Sequence, residues 1–166
     1  MSGAATASEA GNSRLRVEVS RGGRAWAPAA GEIGSWASAA LGRRARRAEL
    51  AVRVVGSRES RYLNARYRGH DRPTNVLSFP VDARAALPPL SASRPLGDLV
   101  ICPAVVRAEA RQQGKSIRAH WAHLIVHGTL HLIGYDHERA EEARRMERRE
   151  IAVLRRLGFA NPYRSG

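Results

Sequence analysis

The sequence predicts one domain in which β-strands and α-helices share a single core. Three observations carry this. A chain of 166 residues is long enough to bury a sizeable core in one unit. Residues 97–102 (GDLVIC) become a continuous apolar run after the first two positions, the pattern of a strand in the middle of a sheet. Residues 117–133 carry Trp121, Leu124, Ile125, Val126, Leu130, Leu132 and Ile133 on nearly every side of a helix, the pattern of a helix buried all round.

The elements follow in order. Residues 1–13 are Ala, Ser and Gly with no apolar stretch, so they are expected to be a disordered tail without a secretory core, ahead of one domain over residues 14–166. Leu15, Val17 and Val19 alternate with Arg14, Arg16 and Glu18, which predicts a half-buried strand near a sheet edge. Ile33, Trp36, Ala37, Ala40 and Leu41 repeat at three and four, which predicts an amphipathic helix. Arg43, Arg44, Arg46 and Arg47 close it, suiting the negative end of the helix dipole as a solvated face, or touching RNA phosphates. Residues 49–55 (ELAVRVV) predict a second strand, and Ser57 is placed to cap the helix that runs on to Gly69. Residues 75–79 read as a strand between Pro73 and Pro80, and residues 82–95 as a Pro/Ala/Ser-rich mobile loop. After the 97–102 strand, Pro103 suits the first turn of a helix that stops at Gly114, and Ser116 can cap the next. A last helix runs to Leu157, with Asp136 or a neighbour as its cap. Glu150 falls within its apolar stripe, where a carboxylate needs a partner: a buried ion pair, or support for a cleft.

Composition narrows the function. The net charge of +13 and pI near 11.5 draw polyanions, nucleic acid first, although arginine-rich composition can also have no functional meaning. Aromatics are too few for a broad base-stacking platform. The lone Cys102 excludes an internal disulfide and fits a reducing compartment, and no apolar run reaches membrane length.

The chemistry concentrates in residues 127–137. His127 and His131 are one helical turn apart, about 6 Å along the axis and ~40° around it, so they point the same way. Gly134 can take the left-handed backbone that ends a helix and lets the chain bring back His137. Three imidazoles on one cation leave a fourth tetrahedral position open, the layout of a catalytic zinc site. The plainer alternative is a buried helix whose histidines are satisfied by hydrogen bonds. His120, His123, His127 and His131 fall in one seam, and such a seam in a dry core is costly unless something binds it. His120 lies ~16 Å from His131 along the axis, so the four cannot share one ion. His127, His131 and His137 are therefore the candidate ligands. His120 and His123 are left to support, line the cleft, or be satisfied core residues.

The spacing H-x-x-x-H-x-x-G-x-x-H is zincin-like, that of metzincin proteases. Those place a general-base Glu directly after the first histidine. Here that position is Gly128, which argues against peptide hydrolysis by their route. Residues 127–137 (HGTLHLIGYDH), 73–80 (PTNVLSFP) and 96–101 (LGDLVI) together resemble the YbeY family of bacterial rRNA maturation factors. The resemblance runs from about Leu50 to Gly158. It implies a single α+β domain with a small mixed sheet packed by helices. It implies a zinc-dependent, single-strand-specific endoribonuclease that matures the 3′ end of 16S rRNA and takes part in ribosome quality control. It implies a cytoplasmic protein working with the small ribosomal subunit and its assembly factors, with Zn2+ or another divalent metal on His127, His131 and His137. The resemblance places the family's cleft arginine on Arg68, to hold phosphate oxygens; from the residues alone Arg68 reads first as a structural salt-bridge partner. His70 and Arg72 depart mildly, standing where lysines are common in the family. Asp136 could orient a histidine, the general base has no candidate, and the RNA 2′-hydroxyl is an alternative nucleophile. Two other readings stay open: a metal-stabilised assembly factor without catalysis, and a metallohydrolase of another substrate.

Overall fold

In the computed structural model, residues 6–8, 15–81 and 93–164 are described. Five strands form one mixed sheet in the order β1-β2-β3-β5-β4. These are β1 (Thr6–Ser8), β2 (Arg16–Arg21), β3 (Ala48–Val54), β4 (Val76–Pro80) and β5 (Arg94–Ile101). The inner pairs β2–β3 and β3–β5 are parallel, and the outer pairs β1–β2 and β4–β5 are antiparallel. The mixed sheet agrees with expectation, and the GDLVIC strand does lie inside it. The first predicted strand is one in from the edge, because β1 lies outside it. That strand falls within the stretch expected to be a disordered tail; residues 1–5 and 9–14 lie outside the described residues.

The helices are α1 (Ala30–Leu41), α2 (Ser57–Arg68), α3 (Pro103–Gln113), α4 (Ile117–Leu132) and α5 (Ala140–Arg156), with a 3₁₀ turn at Gly42–Ala45. Strand alternation sends Leu99, Ile101 and Val76 to one face and Leu77 and Val100 to the other. On the first face α4 lies against β4 and β5, flanked by α1, α3 and α5. Trp121, Ala122, Ile125, Val126 and Leu130 are wholly buried there. Each large side chain so buried contributes about 1.5–3 kcal/mol, which anchors α4 in the core. On the second face α2 sets Leu63 against Leu77, Val100 and Phe79.

Three boundaries differ from expectation. Strand β5 begins at Arg94, inside the expected loop, whose residues 82–92 lie outside the described residues. Pro95 and Ser93 read as loop, but a bulge between the Glu49–Pro95 and Leu50–Gly97 pairings lets the proline sit in the ladder. Gly97, with φ of 138°, meets the Phe79 carbonyl so closely that a Cβ would lie 2.2 Å from its oxygen. Ser57 does not cap α2: Gly56 is the capping residue, and the Ser57 hydroxyl lies 3.9 Å from Cys102 Sγ. Asp136 does not cap α5, which starts after Arg139; its Oδ1 accepts the His137 backbone N–H at 2.7 Å instead. Ser116 caps α4 as expected, accepting from the Ala119 N–H at 3.1 Å. Among the described residues no helix is long and apolar enough to cross a membrane.

Candidate metal centre and its cleft

Two histidines arrive on the core-buried helix α4 and the third on the turn that follows it. Helix α4 stops at Leu132, and Gly134, at φ 102°, turns the chain back. The Tyr135 N–H returns to the Leu130 carbonyl at 3.1 Å, closing a left-handed C-terminal cap. The turn brings His137 over the last turn of α4. His131 Nε2 then lies 3.2 Å from His127 Nε2 and 3.1 Å from His137 Nδ1. One ligand atom from each residue falls within 4.8 Å of the others.

These distances fit a tetrahedral ion. Metal–nitrogen bonds of about 2.0–2.1 Å put ligand nitrogens about 3.3–3.4 Å apart. The proton inventory fits as well. His127 Nδ1 donates to Glu150 Oε1 at 2.5 Å, which leaves its Nε2 as a bare lone pair facing the other rings. Burial, then the neighbouring His127 and His137, push His131 down to about 4, so its ring is neutral at physiological pH. A cation held between the three rings would satisfy the nitrogens that face one another there.

Glu150 is the residue whose role the sequence left open. It is fully buried, and it serves the cleft rather than an arginine. Besides His127, its carboxylate accepts from His123 Nε2 at 3.1 Å and from the Tyr163 hydroxyl. Burial alone would raise its pKa, but the bonds from His123 and His127 hold it down at about 2. Burial pushes the Tyr163 phenol upward, and the bond to Glu150 adds to this, so its proton stays available to donate. Burial likewise lowers His123. A carboxylate that fixes the tautomer and plane of a histidine is the usual support of a metal ligand.

His120 behaves differently. Its Nε2 meets Glu109 Oε1 at 3.1 Å, and Asn75 Nδ2 donates to the same oxygen at 2.9 Å. Its Nε2 thus meets a carboxylate rather than another ring, and its Nδ1 is buried without a hydrogen-bond partner among the described residues.

The cleft, about 710 Å3, is walled by His127, His131 and His137 on one side and by Asn64, Arg68, His70 and Ser78 on the other. Arg68 is the last residue of α2, released by Gly69 at φ 74°. Among the described residues no carboxylate pairs with it, so the salt-bridge alternative has no partner there. The 70–74 segment is pinned from α2. Asn64 Nδ2 donates to the Arg72 carbonyl at 2.9 Å, and the Thr74 N–H donates to Ser60 Oγ at 2.9 Å. Arg61 grips Asp71 through two bonds of 2.7 and 3.0 Å.

Gly128 gains a physical meaning. A Cβ there would lie 2.8 Å from Leu99 Cδ2 and 3.3 Å from Ser78 Oγ. Helix α4 touches the sheet at this residue, so any side chain there must displace the Leu99 tip.

The three histidines and Arg68 singled out from the sequence all line this one cleft. Sequence reading did not find Tyr163, which no spacing or pattern marked. The signal for Glu150 was present in its place on an apolar stripe.

The family model for endoribonuclease YbeY matches residues 30–158. An endoribonuclease YbeY of Stenotrophomonas maltophilia is 52% identical over 151 residues, 90% of this chain and 94% of its own length. That of Alkalilimnicola ehrlichii is 54% identical over 153 residues, 90% of each. A solution structure of a Thermotoga maritima protein covers 90% of this chain and 99% of its own, at 21% identity and a TM-score of 0.54, which speaks to the fold. With that span of the chain matched and half of its residues shared with these relatives, the protein belongs to the YbeY family.

Proposed function

We propose that the chain is a metal-dependent endoribonuclease acting on single-stranded RNA, with the 3′ end of 16S rRNA in the small ribosomal subunit as its target and the cytoplasm as its place of work. The observation that carries this reading is the convergence of three imidazoles, with His131 Nε2 at 3.1–3.2 Å from a nitrogen of each of the other two, in a cleft that also holds Arg68. The endoribonuclease name of the relatives supports the reaction class.

His127 Nε2, His131 Nε2 and His137 Nδ1 would hold a divalent ion, Zn2+ being the natural choice for three imidazoles. Such an ion supplies Lewis-acid charge to a phosphodiester in the cleft. The protein does the rest. Glu150 holds the Nδ1 proton of His127, so the ring keeps its Nε2 lone pair toward the cleft. Arg68 offers a planar fork of donors to the non-bridging oxygens and stabilises charge as it builds on them. The pinned 70–74 segment keeps the facing wall of the cleft at a fixed distance. The net charge of +13 raises the local concentration of RNA.

A cleavage assay on single-stranded RNA tests this, run with and without chelator and with Arg68→Ala and His131→Ala. The reading expects cleavage that needs the ion and both residues, with RNA still bound by the folded His131 variant. RNA bound but never cut by the metal-loaded wild type would favour an assembly factor without catalysis.

A further inference from the structure

Glu150, which supports His127, is reached from behind by a segment outside the family match at residues 30–158. After α5 the chain doubles back. The Phe159 N–H donates to the Leu154 carbonyl at 2.8 Å, and the Phe159 ring stands edge-on to Trp36 at 5.9 Å. Lys115 Nζ donates to the Pro162 carbonyl at 2.6 Å. Tyr163 N–H donates to Asn161 Oδ1 at 2.9 Å. These bonds fix the segment before Tyr163 reaches inward. Its ring stands edge-on to His123 at 5.4 Å, and its hydroxyl donates to Glu150 Oε2.

A buried carboxylate has about four lone-pair sites and tilts toward whichever donors remain. Glu150 takes one donor on Oε1, from His127, and two on Oε2, from His123 and Tyr163. The Oε2 donors decide the plane of the carboxylate, and that plane decides where the His127 ring points. His123 is itself held from one side only, since its Nδ1 is buried without a hydrogen-bond partner among the described residues.

We propose that Tyr163 is a positioning residue of the metal centre: by holding Glu150 from behind, the C-terminal segment sets the aim of His127 at the ion. The proposal rests on the reading above that His127 is a metal ligand. Tyr163 touches neither substrate nor ion.

The test is Zn2+ affinity of the full-length metal-free protein, measured by competition with a chromophoric chelator. It compares wild type, Tyr163→Phe, Glu150→Gln, the double variant and His131→Ala. Tyr163→Phe keeps the ring against His123 and removes only the hydroxyl. It should weaken Zn2+ binding about tenfold, and Glu150→Gln about 10–100-fold. Because both act through one carboxylate, the double variant should bind no more weakly than Glu150→Gln alone. The thermal midpoint of the metal-free Tyr163→Phe protein should match wild type. Equal affinity of Tyr163→Phe and wild type, with zinc lost in His131→Ala, would overturn the proposal and leave the metal centre standing. Additive losses accompanied by a lowered midpoint would also overturn it, since they would mark a structural anchor. A wild type that binds no Zn2+ would remove both readings.

Discussion

Helix α4 carries histidines at both ends of one seam, and the two ends do opposite things. At the N-terminal end His120 Nε2 meets Glu109, itself bonded by Asn75. At the C-terminal end His127 and His131 meet each other, and the turn adds His137 to the same point. Between them His123 shares Glu150 with His127. Residue type and helix are the same throughout, while side-chain exposure rises from 4% at His120 to 27% at His127. On the proposed reading, what separates a metal ligand from a core histidine is whether its ring nitrogens face a carboxylate alone or also the nitrogens of other rings.

Breaking the two ends should therefore give unlike results. His131→Ala should abolish stoichiometric zinc binding and lower RNA cleavage by roughly 10³-fold, as loss of several kcal/mol of charge stabilisation would. His120→Ala should leave zinc content intact and cost about 1–3 kcal/mol of stability by stripping Glu109 of its main donor. Metal analysis and denaturant melts of the two variants check this. Arg68→Ala should come next, with cleavage down about 10²–10³-fold and zinc content unchanged, because its guanidinium faces the substrate. Single-turnover cleavage rates with metal content measured in parallel decide it.

The contact between α4 and the sheet offers a third break. Gly128→Glu would restore the protease pattern on paper. It should cost about 3 kcal/mol or more, forcing a side chain and a charge against Leu99 and Ser78, and it should bring no peptidase activity. The smallest effect belongs to the His120 end. The bond from His120 holds Glu109 below its usual 4.5, against an opposing push from burial. A depressed carboxylate contributes stability that is present above its unfolded pKa and lost as pH falls through the folded one. Glu109→Gln should therefore flatten the loss of stability below about pH 4.5. It should change stability near neutrality by at most about 1 kcal/mol, because the carboxylate is partly exposed. Urea melts across acid pH measure both.

Much of this was legible in the chain. Periodicity located α4, because a helix apolar on all sides has only one place to be. Spacing located the triad, because a helical turn and a glycine stop are fixed geometry. Partners distant in sequence were not legible. Glu150 announced that it needed a donor, and nothing local said that the donors were His127, His123 and Tyr163. Residues 94–95 read as loop because proline normally refuses a ladder, and the bulge that admits it depends on β3 lying alongside. The caps expected at Ser57 and Asp136 failed for a related reason, since each side chain found another neighbour.

The central claim is that three imidazoles, one of them beyond the helix end, surround one ion. X-ray absorption at the zinc edge of the reconstituted protein counts them directly. The account predicts three imidazole nitrogens at about 2.0–2.1 Å, with one contribution lost in His137→Ala. A wild-type shell of two imidazoles, unchanged by removing His137, would contradict it.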